Sequence, residues 1–333
     1  MSLVDEAQVK KVVQVAVAIV QRNASLFSAG EFLMASRPDG KGWAGWWEFP
    51  GGKVESGESP EQALSRELQE ELGIIPTETQ PWLTRHFDYP ATHDAVAKTV
   101  QLHFYFVTKW QGELTPQEGQ QLSWQSATYM TVSPVLPANA PIMHALALPS
   151  VYAITNVAEM GRTAFLNALE HQLKQGLSLI QIREKQLERA DLIDLVMKIQ
   201  NLAKAYTAKL FLNTDIALAL ELGVDGVHLS SEQLMSYQTK HSDLMVAASC
   251  HDQAEITHAE KLGLDFVVLS PIKKTKSHAE AAPLGWSKFG QWVQNCNIPV
   301  YALGGMQTSD LSRALQAGAR GIATQRAIWN AKI

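Results

Sequence analysis

Glu67, Glu70 and Glu71 crowd into five consecutive positions, a short way downstream of Gly51-Gly52. Carboxylates this dense repel one another and lose hydration where they meet a core, so a counter-charge must accompany them. A hard cation such as Mg²⁺, with Mn²⁺ as a substitute, suits this donor set, because it takes few carboxylates and completes its shell with waters and phosphate oxygens. The matching chemistry is attack on a diphosphate, where the cation neutralises charged oxygens and a base positions water. A solvated acidic helix is the competing reading. The glycine pair argues against it, because two glycines let the backbone approach metal and phosphate closely.

The segment that must hold these acids reads as a helix. Ser59 is placed as N-cap, Pro60 suits the first turn, Gln62 completes a capping box, and Gly73 is the expected left-handed stop. Leu64, Leu68 and Leu72 form the buried stripe. At roughly 100° per residue, Glu67 and Glu71 fall on the edge of that stripe, whereas Glu70 lies further round, one turn from Arg66. Upstream, Val12 to Gln21 reads as a strand with Gly30 to Ala35 as its hairpin partner, and Val100 to Val107 as another strand. Trp43, Trp46 and Trp47 suggest loop or core packing, with a stacking wall for a flat ligand as the sharper alternative.

Gly52, Glu58 and the run Arg66-Glu67-Leu68-Gln69-Glu70-Glu71-Leu72-Gly73-Ile74 match the full Nudix box, so the first half resembles the Nudix hydrolases. The resemblance implies an α/β/α sandwich on a mixed sheet and Mg²⁺-dependent hydrolysis of a diphosphate linked to another moiety. It assigns metal positions to Glu67, Glu70, Glu71 and the Gly51 carbonyl. Arg66 would orient a carboxylate and Glu58 would brace the loop. The flanks resemble the MutT subgroup, the 8-oxo-dGTP diphosphatases. There Glu118 would join the metal cluster or act as base. Asn139 would read the purine edge, since an amide offers both donor and acceptor; a helix N-cap is its bland alternative. Arg37, Glu48, Phe49, Pro50, Gly51, Lys53 and Tyr89 would line the substrate side. Gly42 departs from the subgroup, standing where a histidine lines the nucleotide site in some members.

A Pro- and Ala-rich passage, Thr131 to Ser150, places a boundary near Pro149, giving domains 1–149 and 150–333. Beyond it, strands at Val151–Thr155, Leu179–Arg183, Lys209–Asn213, Gly226–Leu229, Met245–Ser249, Phe266–Ser270, Val300–Leu303 and Gly321–Ala323 alternate with helical patterns. Eight such units predict a compact (β/α)8 TIM barrel. Polar residues gather at the strand C-terminal ends, where barrel sites are built: Gln181, Arg183, Lys185, Asn213, His228, Ser249, His251, Thr275, and Gly304-Gly305 as a phosphate cradle. Gln181-Ile182-Arg183-Glu184-Lys185, Asp225-Gly226-Val227-His228-Leu229 and Ala302-Leu303-Gly304-Gly305 resemble the thiamine-phosphate synthase and TenI superfamily. Two departures count against synthase activity: Thr214 replaces an Asp, and Ser230-Ser231-Glu232-Gln233 replaces Gly-Gln-Glu-Asp. Both places supply Mg²⁺ carboxylates in the synthases, so tight Mg²⁺–pyrophosphate binding should be lost. His251 matches an acid/base histidine found in both branches.

With 333 residues the chain exceeds one ordinary core, and its formal charge of −5 argues against coating nucleic acid. Cys250 and Cys296 make no disulfide or zinc pattern, the N-terminal stretch is not expected to act as a signal peptide, and no apolar run is long enough to span a bilayer. A cytoplasmic protein acting on a small nucleotide, with a thiamine-related phosphate in the barrel and neither nucleic-acid polymer nor membrane as partner, is expected. The leading expectation is hydrolysis of 8-oxo-dGTP to 8-oxo-dGMP and pyrophosphate. The alternatives are hydrolysis of thiamine-type diphosphates, and a barrel that senses a thiamine phosphate without catalysis.

Overall fold

The computed structural model describes residues 12–89, 98–274, 282–294 and 296–330. These divide into two compact units, one drawn from Met1–Gln21, Phe32–Gln125 and Thr131–Asn139, the other from Arg22–Glu31, Ser126–Met130 and Ala140–Ile333.

In the first unit the strands are β1 (Val12–Arg22), β2 (Glu31–Ser36), β3 (Trp47–Glu48), β4 (Gly51–Lys53), β5 (Ile75–Tyr89), β6 (Lys98–Gln111) and β7 (Leu122–Gln125). They form one sheet in the order β3-β2-β1-β6-β5, with β4 also on β1 and β7 on β2. The β1–β6 pair is parallel and the β1–β4, β2–β7 and β5–β6 pairs are antiparallel, so the sheet is mixed. Its one long helix among the described residues is α1 (Pro60–Leu72). Ser59 accepts from Gln62 N, Gln62 returns the bond to complete the capping box, and Gly73 closes the helix at φ 70°. Leu64, Leu68 and Leu72 are fully buried against Ala16, Ala18, Val20, Tyr105 and Val107 of the sheet. That packing leaves Glu67 and Glu71 half-buried at the helix flank and Glu70 in solvent, as the spacing requires.

The main stretch of the second unit opens with helix α2 (Ala140–Leu146) and carries β8 (Val151–Ile154), β9 (Leu179–Ile182), β10 (Lys209–Asn213), β11 (Gly226–Leu229), β12 (Met245–Cys250), β13 (Phe266–Leu269), β14 (Val300–Ala302) and β15 (Gly321–Thr324). All eight strands pair in parallel and close into a barrel. Inside, Tyr152, Phe211, Phe266 and Tyr301 interlock, with neighbouring ring centroids 5.0–5.9 Å apart. Such edge-on rings fill the lumen as a solid plug. Arg320 is buried and donates to Ala145 O at 2.6 Å, to Ser150 Oγ at 3.1 Å and to Leu148 O, so a charge that burial disfavours is repaid by fastening α2 onto the barrel. Both cysteines are buried, and Cys296 Sγ donates to Trp292 O at 3.1 Å. Among the described residues no helix is long and apolar enough to cross a membrane.

Candidate active site

The glycine loop lies where it does because nothing larger fits. A Cβ on Gly51, at φ 140°, would stand 2.1 Å from Ala16 O, and one on Gly52 would stand 2.1 Å from the Glu67 carboxyl carbon. The strand thus runs directly over β1 on one side and under the α1 carboxylates on the other. Gly51 N donates to Glu71 Oε2 at 3.2 Å.

Arg66 organises the rest. Its Nε and Nη2 grip Glu58 at 2.8 and 3.0 Å, Nη1 reaches Glu67 at 2.9 Å and Glu70 at 3.1 Å, and Nη2 also donates to Lys53 O at 3.0 Å. Such a forked, charge-assisted grip fixes both partners. Glu58 also accepts from Glu55 N at 3.0 Å, which stitches the loop to the helix. Its carboxyl is drawn down to about 2, first by Arg66 and then by the Glu55 amide. Glu71 goes the other way, to about 7. Burial is the main cause, the Gly51 amide resists it, and the charges of Glu67, Glu48 and Glu118 add to it. Four acids therefore converge electrostatically on one place.

A hard divalent cation fits this donor set, because each acid raises the proton affinity of Glu71 and only a counter-charge relieves them together. The acids are not, however, gathered into a finished cage. Among the described residues no three His, Cys, Asp or Glu side chains stand close enough to enclose an ion. Glu67 is turned to Arg66, and Glu118 is turned to Lys41 Nζ at 2.5 Å. The expected set of Gly51, Glu67, Glu71 and Glu118 is thus brought to one site without being preassembled, since like charges take neighbouring cations as partners.

On the substrate side two of the expected residues lie deeper than the others. Phe49 is buried, with its ring 5.4 Å from Phe32 and 6.4 Å from Phe104, and Pro50 is buried with its carbonyl accepting from Ala18 N at 2.8 Å. Their side chains build the core beneath the site. The tryptophans divide: Trp47 is buried, while Trp43 and Trp46 meet edge-on at 4.6 Å, with Trp43 exposed. Arg37 holds both Glu48 oxygens, at 2.6 and 2.8 Å. Lys53 is exposed, and the side chain of Tyr89 lies outside the described residues. Asn139 ends a turn of 3-10 helix, Pro137–Asn139, with 6% of its surface exposed. Its Nδ2 is buried and has no partner among the described residues.

Sequence reasoning missed Lys41, and it missed Gln120, which is buried and donates to Glu71 O at 2.7 Å. A polar residue two places after a loop acid was the only signal for Gln120. Lys41 had none beyond its place in a turn-rich loop.

In the barrel, a cavity of about 310 Å³ opens at the strand C-terminal ends. Gln181, Arg183, Lys185, Asn213, His251, Gly304 and Gly305 all line it, whereas Thr275 lies outside the described residues. Arg326, from the turn after β15, lines it too and was not foreseen; it is paired with Glu159. No Asp or Glu lines the cavity among the described residues.

His228 is buried at its floor, between Tyr152 OH (3.2 Å from Nδ1) and Ser249 Oγ (2.9 Å from Nε2). Burial, with the Arg183 charge adding to it, pushes the imidazole down to about 3, so it is neutral at pH 7. The unfolded chain takes up a proton near pH 6.5 that the folded chain refuses, so this group removes stability as pH falls from about 6.5 toward 3. At pH 4 the loss is on the order of 3 kcal/mol. Urea unfolding of His228→Asn beside the unmutated protein should show their stability difference shifting by that order between pH 7 and pH 4. Parallel pH curves would clear His228 of the effect.

Comparison with known proteins places both halves. The NUDIX domain model matches residues 12–147, and the thiamine monophosphate synthase model matches residues 151–328. The 8-oxo-dGTP diphosphatase of Haemophilus influenzae is 37% identical over 137 residues, 41% of this chain and 93% of that protein. A relative from Aquifex aeolicus is 39% identical over 178 residues, 53% of this chain and 95% of its own length. The thiamine-phosphate synthase of Listeria welshimeri is 30% identical over 192 residues, 55% of this chain and 92% of that protein. With the glycine loop, the braced carboxylate helix and the closed barrel already in view, the chain belongs to two families at once, Nudix over residues 12–147 and thiamine monophosphate synthase over residues 151–328.

Proposed function

We propose that the Nudix unit is a Mg²⁺-dependent pyrophosphohydrolase that converts 8-oxo-dGTP and water to 8-oxo-dGMP and pyrophosphate, a reaction that cleans the nucleotide pool. One P–O bond forms to water and one anhydride P–O bond breaks. Mg²⁺, held by Glu67, Glu70, Glu71, Glu118 and the Gly51 carbonyl, would neutralise the phosphate oxygens. Arg66 holds Glu67 at its angle, Glu58 keeps the loop against α1, and Glu118 or Glu67 positions the water and accepts its proton.

The observation that carries the purine reading is the buried, unpartnered Nδ2 of Asn139. An unmet buried donor costs about 1–3 kcal/mol, a cost that a purine acceptor would remove. The test is a nucleotide panel with Mg²⁺, with and without Asn139→Ala. 8-oxo-dGTP should be the best substrate, and the variant should lose about 10- to 100-fold in kcat/KM on it while changing little on pyrimidine nucleotides. Release of orthophosphate from a thiamine diphosphate analogue, with no pyrophosphate from 8-oxo-dGTP, would replace this reading with hydrolysis of thiamine-type diphosphates.

The barrel favours a second reading, as a phosphate-binding module without synthase activity. Its cavity presents Arg183 and Lys185 and no carboxylate among the described lining. Thr214 and Gln233 stand where the synthases place metal-binding acids, and the Gln233 amide is spent on Thr214 O and Ser230 N. Without hard oxygen anions, Mg²⁺–pyrophosphate has no seat, whereas a phosphomonoester can be met directly by the cations. Calorimetry should find inorganic phosphate or a thiazole phosphate binding equally with Mg²⁺ and with EDTA, and Arg183→Gln should weaken it about tenfold or more. Binding that needs Mg²⁺, or synthase turnover, would overturn the reading.

A further inference from the structure

The loop between β2 and β3 brings a cation to the carboxylate site. Lys41 sits at the tip of a segment shut at its base: Arg37 N donates to Trp46 O at 2.8 Å, Gly45 N to Arg37 O at 2.9 Å, and Arg37 Nε to Gly42 O at 2.6 Å. From that tip Nζ reaches Glu118 Oε2 at 2.5 Å, across 77 positions of sequence. The Glu118 loop is anchored as well, because Gln117 N and Gln120 Nε2 both donate to Glu71 O, at 2.9 and 2.7 Å. One loop therefore hangs on the partner of Glu48 and the other on the backbone of Glu71. Beside Lys41, a Cβ added to Gly42 would meet nothing within 4 Å, so the approach is open.

Stability does not account for this pair. Both side chains are more than a third exposed, at 48% and 39%, and exposed ion pairs contribute little to folding. The charge arithmetic does account for it. Of the four acids that converge on the site, Glu48 is held by Arg37 and Glu67 by Arg66, which leaves Lys41 as the partner of Glu118. The field of Lys41 also reaches Glu48, and that of Glu71 reaches Lys41. A lysine ammonium is a compact charge with three rotatable donors on a flexible stem, suited to exchanging one oxygen anion for another.

We propose that Lys41 is a substrate-contacting residue of the Nudix site, its ammonium moving from the Glu118 carboxylate to a non-bridging oxygen of the substrate's phosphate chain as Glu118 is drawn to a divalent cation. This rests on the reading of the unit as a nucleotide hydrolase. Two consequences follow from one charge. Lys41 strengthens binding of the phosphate chain, and it competes with the cation for Glu118.

The test compares Lys41→Gln and Lys41→Arg with the unmutated full chain in three measurements: steady-state kinetics, titration with Mn²⁺ alone, and titration with inorganic pyrophosphate in saturating Mn²⁺. Lys41→Gln should raise KM and the pyrophosphate Kd about tenfold, with kcat within about threefold, because it removes a charge-assisted bond made in the ground state and the transition state alike. Mn²⁺ alone should bind the Gln variant several-fold tighter, and Lys41→Arg should restore most of the pyrophosphate affinity. Pyrophosphate or Mn²⁺ affinity within twofold of the unmutated protein would overturn the proposal, as would a loss confined to kcat. If the unmutated chain hydrolyses no nucleotide, the hydrolase reading fails, and the two titrations still decide Lys41.

Discussion

Glu71→Gln is expected to lower kcat for nucleotide hydrolysis by more than a hundredfold, about 2.7 kcal/mol of barrier, while the protein unfolds at the same temperature or higher. The amide keeps the size of the carboxylate, and its oxygen can still accept from Gly51 N, so the loop stays seated. What it loses is the charge. Glu71 is the most crowded of the converging acids, raised to about 7 by burial and by Glu67, Glu48 and Glu118. Removing its charge relieves the fold and, on the proposed function, removes a main ligand of the cation. Steady-state kinetics beside a melting curve separates the two effects. Retention of more than about a tenth of kcat, roughly 1.4 kcal/mol, would show that Glu71 is not a principal ligand.

Adding one methyl group at each of the paired glycines should have opposite consequences. At Gly51 the new carbon would meet Ala16 O at 2.1 Å and Val17 Cα at 3.0 Å, with φ at 140°. Those neighbours are backbone of β1 and cannot yield, so Gly51→Ala should destabilise the unit by several kcal/mol, on the order of 3 or more, and lower its yield. At Gly52 the neighbours are the tip of the Glu67 side chain, at 2.1–2.3 Å. A side chain can swing away at small cost. Gly52→Ala should therefore melt within a few degrees of the unmutated protein yet lose activity by about a hundredfold, because the displaced carboxylate is one that must be held to within a fraction of an ångström. Equal destabilisation by both variants would refute this account of the loop.

The strand–helix alternation of the barrel is legible because it is local. Every expected barrel strand begins where the structure begins it, and their ends agree to within a residue. The same holds for α1, whose cap, stop and leucine stripe depend on contacts spanning a turn or two. Glu70 in solvent and Glu67 with Glu71 at the helix flank also follow from 3.6-residue periodicity alone.

Other features were decided only by the folded chain. Phe49 and Pro50 stand in the same short run as Glu48 and Gly51, yet the connection between β3 and β4 carries both of them into the core. The unpartnered amide of Asn139 exists because the turn at Pro137–Asn139 buries it, and no neighbour in sequence signals that burial. The Lys41–Glu118 contact joins two loops 77 positions apart, and loops carry no periodicity from which a long-range pairing can be read. By itself the sequence determined the two families, the helix that bears the carboxylates and the strand–helix repeat of the barrel, since each is written in short-range spacing. Which cation faces which acid, and whether the acids form a finished cage or wait to be drawn together, was left to tertiary structure, because electrostatic partners are chosen by distance in space and the chain sets that distance only when its loops close.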